Sequence, residues 1–225
     1  MTFSIAARCP ETGQFGIAIS SSSIAVGARC PWLLPGVGAV STQNITLPSL
    51  GPETLALMEQ GLAPAEALDK VLTRNGYSQY RQIIAIDHLG RTAHFSGSET
   101  LGHHNAVSGE QCVAAGNMLA DRAVIEAMVN AFEQGEGQLA DRLLAAMKAA
   151  IAAGGEAGPV HSAAMVVVGE LTWPIINLRV DWADENPIGE LEKLWDAYRP
   201  QVQDYIDRAL APDKSPGYGV AGDDR

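Results

Sequence analysis

The 225-residue sequence predicts an α/β (α+β) chain in four layers, with two mainly antiparallel sheets stacked face to face and helices outside each. Three observations predict this class. Strand-like segments come in pairs joined by short turns, which implies antiparallel neighbours. Helical segments come in pairs between those hairpins, whereas a doubly wound parallel fold needs single helices alternating with single strands. Each element carries an apolar stripe, and stacking two sheets with helices on their outer faces buries every stripe.

The first twenty residues read as a hairpin. Thr2, Phe3, Ser4 and Ile5 alternate polar and apolar, Cys9-Pro10-Glu11-Thr12-Gly13 turns the chain, and Gly16 to Ser20 returns with Ile17 and Ile19 on one side. Segment 24–43 is punctuated by glycine and mostly β-like; Val37, Ala39 and Ser41 alternate with Gly38, Val40 and Thr42, and Ser41-Thr42-Gln43-Asn44 closes it. Two short helices follow. Gly51-Pro52 opens the first, with Leu55 and Met58 inward and Gly61 as its stop. Pro64 opens the second, with Ala67, Leu68, Val71 and Leu72 inward and Asn75-Gly76 as its stop. A second hairpin has an apolar run from Ile83 to Ile86, a turn at His88-Leu89-Gly90 and a return from Arg91 to Ser96. The polar, glycine-rich stretch 97–111 reads as loop, and Gln111 to Ala115 as a short strand.

Two long helices come next. Asp121 caps one bearing Val124, Ile125, Met128, Val129 and Phe132 on one face; Leu139, Leu143, Met147, Ala150 and Ile151 mark the other, which Gly154-Gly155 ends. A third hairpin runs from His161 to Val168 and from Trp173 to Asp181. The last helix starts at Asn186-Pro187, and Pro200 should kink or interrupt it. No linker divides the chain, so residues 1–211 form a single expected domain and residues 212–225 a flexible C-terminal tail.

Bulk properties narrow the function. A net charge of -11 repels phosphate backbones and anionic lipid, so neither nucleic acid nor membrane is an expected partner. There is no signal-like start and no apolar run of membrane-spanning length. Cys9, Cys30 and Cys112, odd in number and widely spaced, read as reduced thiols of a cytoplasmic protein. No cysteine or histidine spacing suits a metal: His103 and His104 are adjacent and point oppositely in an extended chain. Gly36-x-Gly38 lacks the rest of a dinucleotide fingerprint, so no cofactor is expected. Trp32, Trp173, Trp182 and Trp195 could anchor a homo-oligomer interface or pack a core.

Thr2 is the first candidate for chemistry. Removal of Met1 leaves a residue whose hydroxyl and α-amine sit together. An α-amine with a pKa of about 7.7–8.0 is substantially neutral near neutral pH and can take the hydroxyl proton. Threonine with its own amine is a recognised activated nucleophile. The same residue also suits a plain β-branched position in a strand.

The chain resembles the DUF1028 family. The resemblance is carried by Thr2-Phe3-Ser4-Ile5-Ala6-Ala7-Arg8, Pro10-Glu11-Thr12-Gly13, Gly36-Val37-Gly38-Ala39-Val40-Ser41-Thr42-Gln43, Arg81-Gln82, Gly116-Asn117-Met118-Leu119 and Asn177-Leu178-Arg179-Val180-Asp181. These stretches keep the family's order and spread over most of residues 2–195. The resemblance implies an αββα sandwich of the N-terminal-nucleophile (Ntn) hydrolase kind. With Thr2 as nucleophile after Met1 removal, it implies hydrolysis of an amide-like bond in a small molecule or peptide. Many relatives carry lysine or histidine where this chain has Ser22, a cation whose effect serine cannot reproduce.

Other residues could complete such a site. Asn117 could donate to an oxyanion, or act as a turn or cap residue. Ser21 and Ser22, in the run Ser20–Ser23, could bind substrate; one of the run could also be a nucleophile if His94 or another base reached it. Thr42, Gln43 and Asn44 end a β segment where ligands meet polar groups, and Arg81 could orient a carboxylate. Arg179 and Asp181 read as structural. The alternative to an enzyme is a non-catalytic ligand-binding or assembly protein on the same fold.

Overall fold

The computed structural model describes residues 2–223. In chain order, β1 (Thr2–Arg8) and β2 (Phe15–Ser21) form the first hairpin, followed by β3 (Pro31–Leu34) and β4 (Gly38–Asn44). Helices α1 (Leu50–Glu59) and α2 (Pro64–Arg74) lead to β5 (Arg81–Asp87), β6 (Thr92–Ser96), β7 (His103–Gly109) and β8 (Cys112–Leu119). Then come α3 (Ala123–Gln134), α4 (Leu139–Ala152), β9 (Ser162–Val168), β10 (Ile176–Val180), α5 (Pro187–Tyr198) and α6 (Val202–Leu210).

The strands build a six-stranded sheet in the order β10-β9-β2-β1-β8-β7 and a four-stranded sheet in the order β3-β4-β5-β6. Every pairing is antiparallel. Three apolar clusters set the layers. Phe3, Ile5 and Ala7 of β1 pack with Ile125, Met128 and Phe132 of α3 and Leu143 and Met147 of α4. Val40, Ile83 and Ala85 pack with Leu55 and Met58 of α1 and Leu68 and Val71 of α2. Between the sheets lie Ala6, Phe15, Ile17, Ala39, Ile84, Ile86, Val113 and Ala115. The result is the four-layer αββα sandwich expected from the element order. Burying large aliphatic side chains at roughly 1.5–3 kcal/mol each is what holds such layers together.

Two elements differ from the sequence reading. Stretch 97–111, read as loop, contains β7, an edge strand whose side chains are half-buried or exposed and so show no apolar pattern. Strand β8 runs on to Leu119, past the expected end at Ala115, because Gly116 lets the strand lie close to Phe3, Leu119 and Ile125 where a Cβ would collide. Pro200 sits in a short 3-10 turn, Arg199–Gln201, that separates α5 from α6. Pro31 opens β3, an edge strand, where its missing N–H is tolerated.

Residues beyond α6 fold back on it. Arg208 Nε donates to Pro216 O and Nη2 to Gly217 O, both at 2.9 Å, and the guanidinium covers the Tyr218 ring at 4.2 Å. Met1 and the last two positions of the expected tail lie outside the described residues. Of the four tryptophans, Trp195 is fully buried, whereas Trp173 and Trp182 are exposed. Among the described residues no helix is long and apolar enough to cross a membrane.

Candidate functional site

Thr2 heads β1, one of the two central strands of the six-stranded sheet, paired with Ser21 on β2 and Asn117 on β8. The alternation of β1 decides where it points. Phe3, Ile5 and Ala7 belong to the helix-side core, so Thr2, Ser4 and Ala6 face the second sheet. The Thr2 hydroxyl lies 3.1 Å from Ser21 Oγ, and either can donate. Ser21 Oγ also accepts from the Ser23 N–H at 3.1 Å, which ties the serine run to the end of β2. Thr2 is 6% exposed.

From this end a polar seam runs between the sheets. Ser4 Oγ donates to Gln43 Oε1 at 2.7 Å and lies 3.1 Å from Ser41 Oγ. Gln43 Nε2 donates to Gln82 Oε1 (2.8 Å) and to Ala115 O (3.1 Å). Gln82 Nε2 donates to Ser96 Oγ and Gly116 O, both at 3.0 Å, and Asn117 Nδ2 donates to Gln82 Oε1 at 3.1 Å. Ser4, Ser41, Gln43, Gln82 and Asn117 are all buried. Such a network specifies one register, because each partner left alone would be a desolvated orphan. One atom is such an orphan: Asn117 Oδ1 is buried without a hydrogen-bond partner.

Asn117 is therefore a strand residue opposite Thr2, and neither a turn nor a cap residue. Its amide nitrogen already gives one hydrogen to Gln82, and its free group is an acceptor. Gln43 stands on the seam, but Thr42 and Asn44 alternate with it and stand with Val40 on the side of α1 and α2. Thr46 Oγ1 donates to Thr42 O at 2.7 Å, and Asn44 donates to Tyr80 O (2.6 Å) and accepts from the Leu101 N–H (3.3 Å). Arg81 alternates with Gln82 and so also points away from the seam; its Nη1 donates to Ile45 O. These three hold loops together at the same end of the molecule and do not face Thr2.

The serine run divides. Ser20 Oγ donates to Ser162 O at 2.9 Å, Ser21 faces Thr2, and Ser22 is half-buried at the end of β2. Among the described residues no histidine ring hydrogen-bonds to them, although the His161 backbone N–H donates to Ser21 O. His94 lines a cavity of about 300 Å³ with Leu68, Asp69 and Leu72 of α2, and His161 stacks on Trp182 with its Nδ1 2.9 Å from Ala183 O. Among the described residues no three His, Cys, Asp or Glu side chains gather as metal ligands do.

Sequence reasoning missed Ser4, Ser41, Gln82 and, above all, Glu156. Glu156 follows the turn at Gly154 and Gly155, both at positive φ, and bridges Leu119. It is 6% exposed, and neither carboxyl oxygen makes a directed hydrogen bond. Burial pushes its pKa up to about 8; the positive charge of the chain's amino terminus, then the Ser22 N–H and hydroxyl, pull the other way. Polar glutamines in strands spaced to alternate with Ile83 and Thr42 were the one available signal for the seam. Glu156 left none, because glycine-flanked acids usually read as loop.

The model of a family of unknown function, DUF1028, matches residues 2–191. The crystal structure of protein SPO2555 from Silicibacter pomeroyi, to which the same family is assigned, is 36% identical in sequence, with a TM-score of 0.84 over 92% of this chain and 93% of that one. Anbu, the ancestral beta-subunit, from Yersinia bercovieri is a distant likeness at 10% identity and a TM-score of 0.42 over 97% of this chain and 100% of that one. A comparison with curated proteins finds no match.

Proposed function

We propose, from the premise that this chain belongs to the DUF1028 family, that it is an Ntn-type hydrolase cleaving an amide-like bond in a small molecule or peptide. Thr2 is the nucleophile once the residue before it is removed. The observation that carries the reading is the position of Thr2: a hydroxyl at the head of an inner strand, turned toward the second sheet and hydrogen-bonded to Ser21.

Thr2 Oγ attacks the substrate carbonyl while its proton moves to the Thr2 α-amine. The tetrahedral intermediate collapses, the C–N bond breaks, and the ammonium returns the proton to the leaving nitrogen. Water, deprotonated by the same amine, then attacks the Thr2 ester and releases the acid. Asn117 suits an amide substrate. Its second amide hydrogen is available to an oxyanion, and its unpartnered Oδ1 accepts from an N–H, which an ester lacks.

Protein lacking Met1, verified by intact mass, is treated with a β-lactone that acylates nucleophilic hydroxyls. The expected result is one acyl adduct on Thr2, removable by hydroxylamine and absent in T2A. Adducts confined to other residues, or equal labelling of T2A, would overturn the catalytic reading in favour of a binding or assembly protein.

A further inference from the structure

Glu156 belongs to no part of the mechanism above, yet the topology places it at the nucleophile. Leu119 pairs with His103 of β7 on one edge and with Glu156 on the other. Its second edge is the one β8 presents to β1, as the Thr2–Asn117 pair shows. Ala157 N–H donates to Met118 O at 2.9 Å and Ala120 N–H to Gly155 O at 3.0 Å, so the bridge is hydrogen-bonded on both sides. Glu156 thus occupies the lane of β1, just past the strand's first residue. Leu119 is two residues beyond Asn117, so Glu156 stands two lane positions past Thr2, about 7 Å in a regular strand and less where the left-handed Met118 coils β8. That spacing is within reach of a glutamate side chain.

The other wall is the end of β2. Ser21 pairs with Thr2, and Ser22, the next residue, presents its N–H and hydroxyl to the Glu156 carboxyl. The segment after Glu156 is pinned there too, since His161 N–H donates to Ser21 O at 2.9 Å. The Glu156 carboxyl is therefore a buried acceptor near the head of β1 without a directed donor. Such an acceptor fits a donor, and an α-ammonium offers three N–H groups.

We infer that Glu156 is a positioning residue that binds the α-amine of Thr2 once that amine is freed and stabilises it as the ammonium when it takes the Oγ proton. The inference rests on the hydrolase reading for its catalytic consequence, but the contact can be tested without it. The proton balance is simple. Oγ–H loses its proton to the amine nitrogen, the ammonium forms beside the carboxylate, and the same proton later goes to the leaving nitrogen. Asn117 of β8, Ser21 at the end of β2, Ser22 after it and the His161 backbone before β9 border this spot. Of these only His161 has an ionisable side chain, and its ring is stacked on Trp182.

The test uses Met1-free wild type, E156Q, E156D and T2A, each checked for an unchanged fold by circular dichroism. Two quantities are read. One is the pKa of the Thr2 amine, from the pH dependence of its reaction with acetic anhydride. The other is the plateau rate of Thr2 acylation by the β-lactone. An anion beside an amine raises the amine's pKa, so E156Q should lower it by about one unit and slow acylation about tenfold, with E156D restoring part of both. An amine pKa in E156Q equal to that of wild type would overturn the inference, even if Thr2 acylation proceeds and the hydrolase reading stands. A lowered amine pKa with no acylation of Thr2 in any variant would support the contact and sink the hydrolase reading instead.

Discussion

Replacing Glu156 by glutamine should flatten the pH dependence of stability. The carboxyl is 6% exposed and lacks a directed hydrogen bond. Burial raises its pKa from 4.5 to about 8, so between those values the folded chain holds a proton that the unfolded chain has released. Stability from this group is therefore fully present below pH 4.5, falls as pH rises, and is gone above about pH 8. At about 1.4 kcal/mol per unit, the full drop is roughly 5 kcal/mol, a large share of a domain's 5–15 kcal/mol. E156Q keeps the shape and removes the titration. Urea unfolding of Met1-retaining wild type and E156Q at pH 5 and pH 9 gives a double difference in which groups common to both cancel. Wild type should lose roughly 2–5 kcal/mol more than the variant between the two pH values. Equal losses would mean that the Glu156 carboxyl is solvated, and the reasoning from its burial would fail.

Other perturbations reach the rest of the fold. Q82L leaves the Gln43 and Asn117 amide donors without their shared acceptor and should cost about 2–4 kcal/mol in urea unfolding, at roughly 1–3 kcal/mol per buried orphan. G97A places a Cβ 2.2 Å from the Gln79 carbonyl oxygen, a backbone atom, and should cost about 1–3 kcal/mol by the same measurement. W195F loses the 2.8 Å bond from the indole N–H to Asp141 and leaves a smaller ring at a fully buried site, costing about 1–3 kcal/mol in urea unfolding. A thiol reagent at pH 8 should modify Cys9 first. Its burial is only partial and is outweighed by hydrogen bonds from Thr12 and Glu11, whereas burial pushes Cys30 up to about 11 and Cys112 up to about 12, so those two should react only on unfolding.

Architecture was legible in this chain because layers announce themselves through periodicity. The run Ile83–Ile86, the stripe Val124–Phe132 and the hairpin at Pro10–Gly13 each fix an element by a local rule, and the layers follow from burying the stripes. What local rules do not carry is register across distance. Thr2, Ser21, Asn117 and Glu156 come together because β1 lies between β2 and β8 and because the turn at Gly154-Gly155 returns the chain to β1's lane. Strand β7 was illegible for the opposite reason: as an edge strand it needs no apolar face to be held, only the ladder to β8. Alternation also sorts neighbours that composition cannot, since Thr42, Gln43 and Asn44 read alike in sequence but only Gln43 faces the seam.

The polar seam is the strongest structural argument that this end of the sandwich does something. Further along, the same inter-sheet space is filled by Ala6, Ile17, Ile84, Ile86 and Val113, and that packing suffices to join the sheets. Continuing it to the head of β1 with apolar residues would have been at least as stabilising, because a buried polar network roughly breaks even and a buried unpaired acid costs outright. Instead the chain places Ser4, Gln43, Gln82 and Asn117 there, leaves the Asn117 Oδ1 unsatisfied, and sets an acid without a directed partner two steps beyond Asn117's neighbouring strand lane. At that end two unsatisfied buried acceptors, Asn117 Oδ1 and the Glu156 carboxyl, lie near one hydroxyl. Substituting Ser4, Gln43, Gln82 and Asn117 together by apolar residues of similar size should therefore leave the urea midpoint equal to or above that of wild type while abolishing Thr2 acylation. A strongly destabilised quadruple variant would make the seam a scaffold feature and remove this argument for a site.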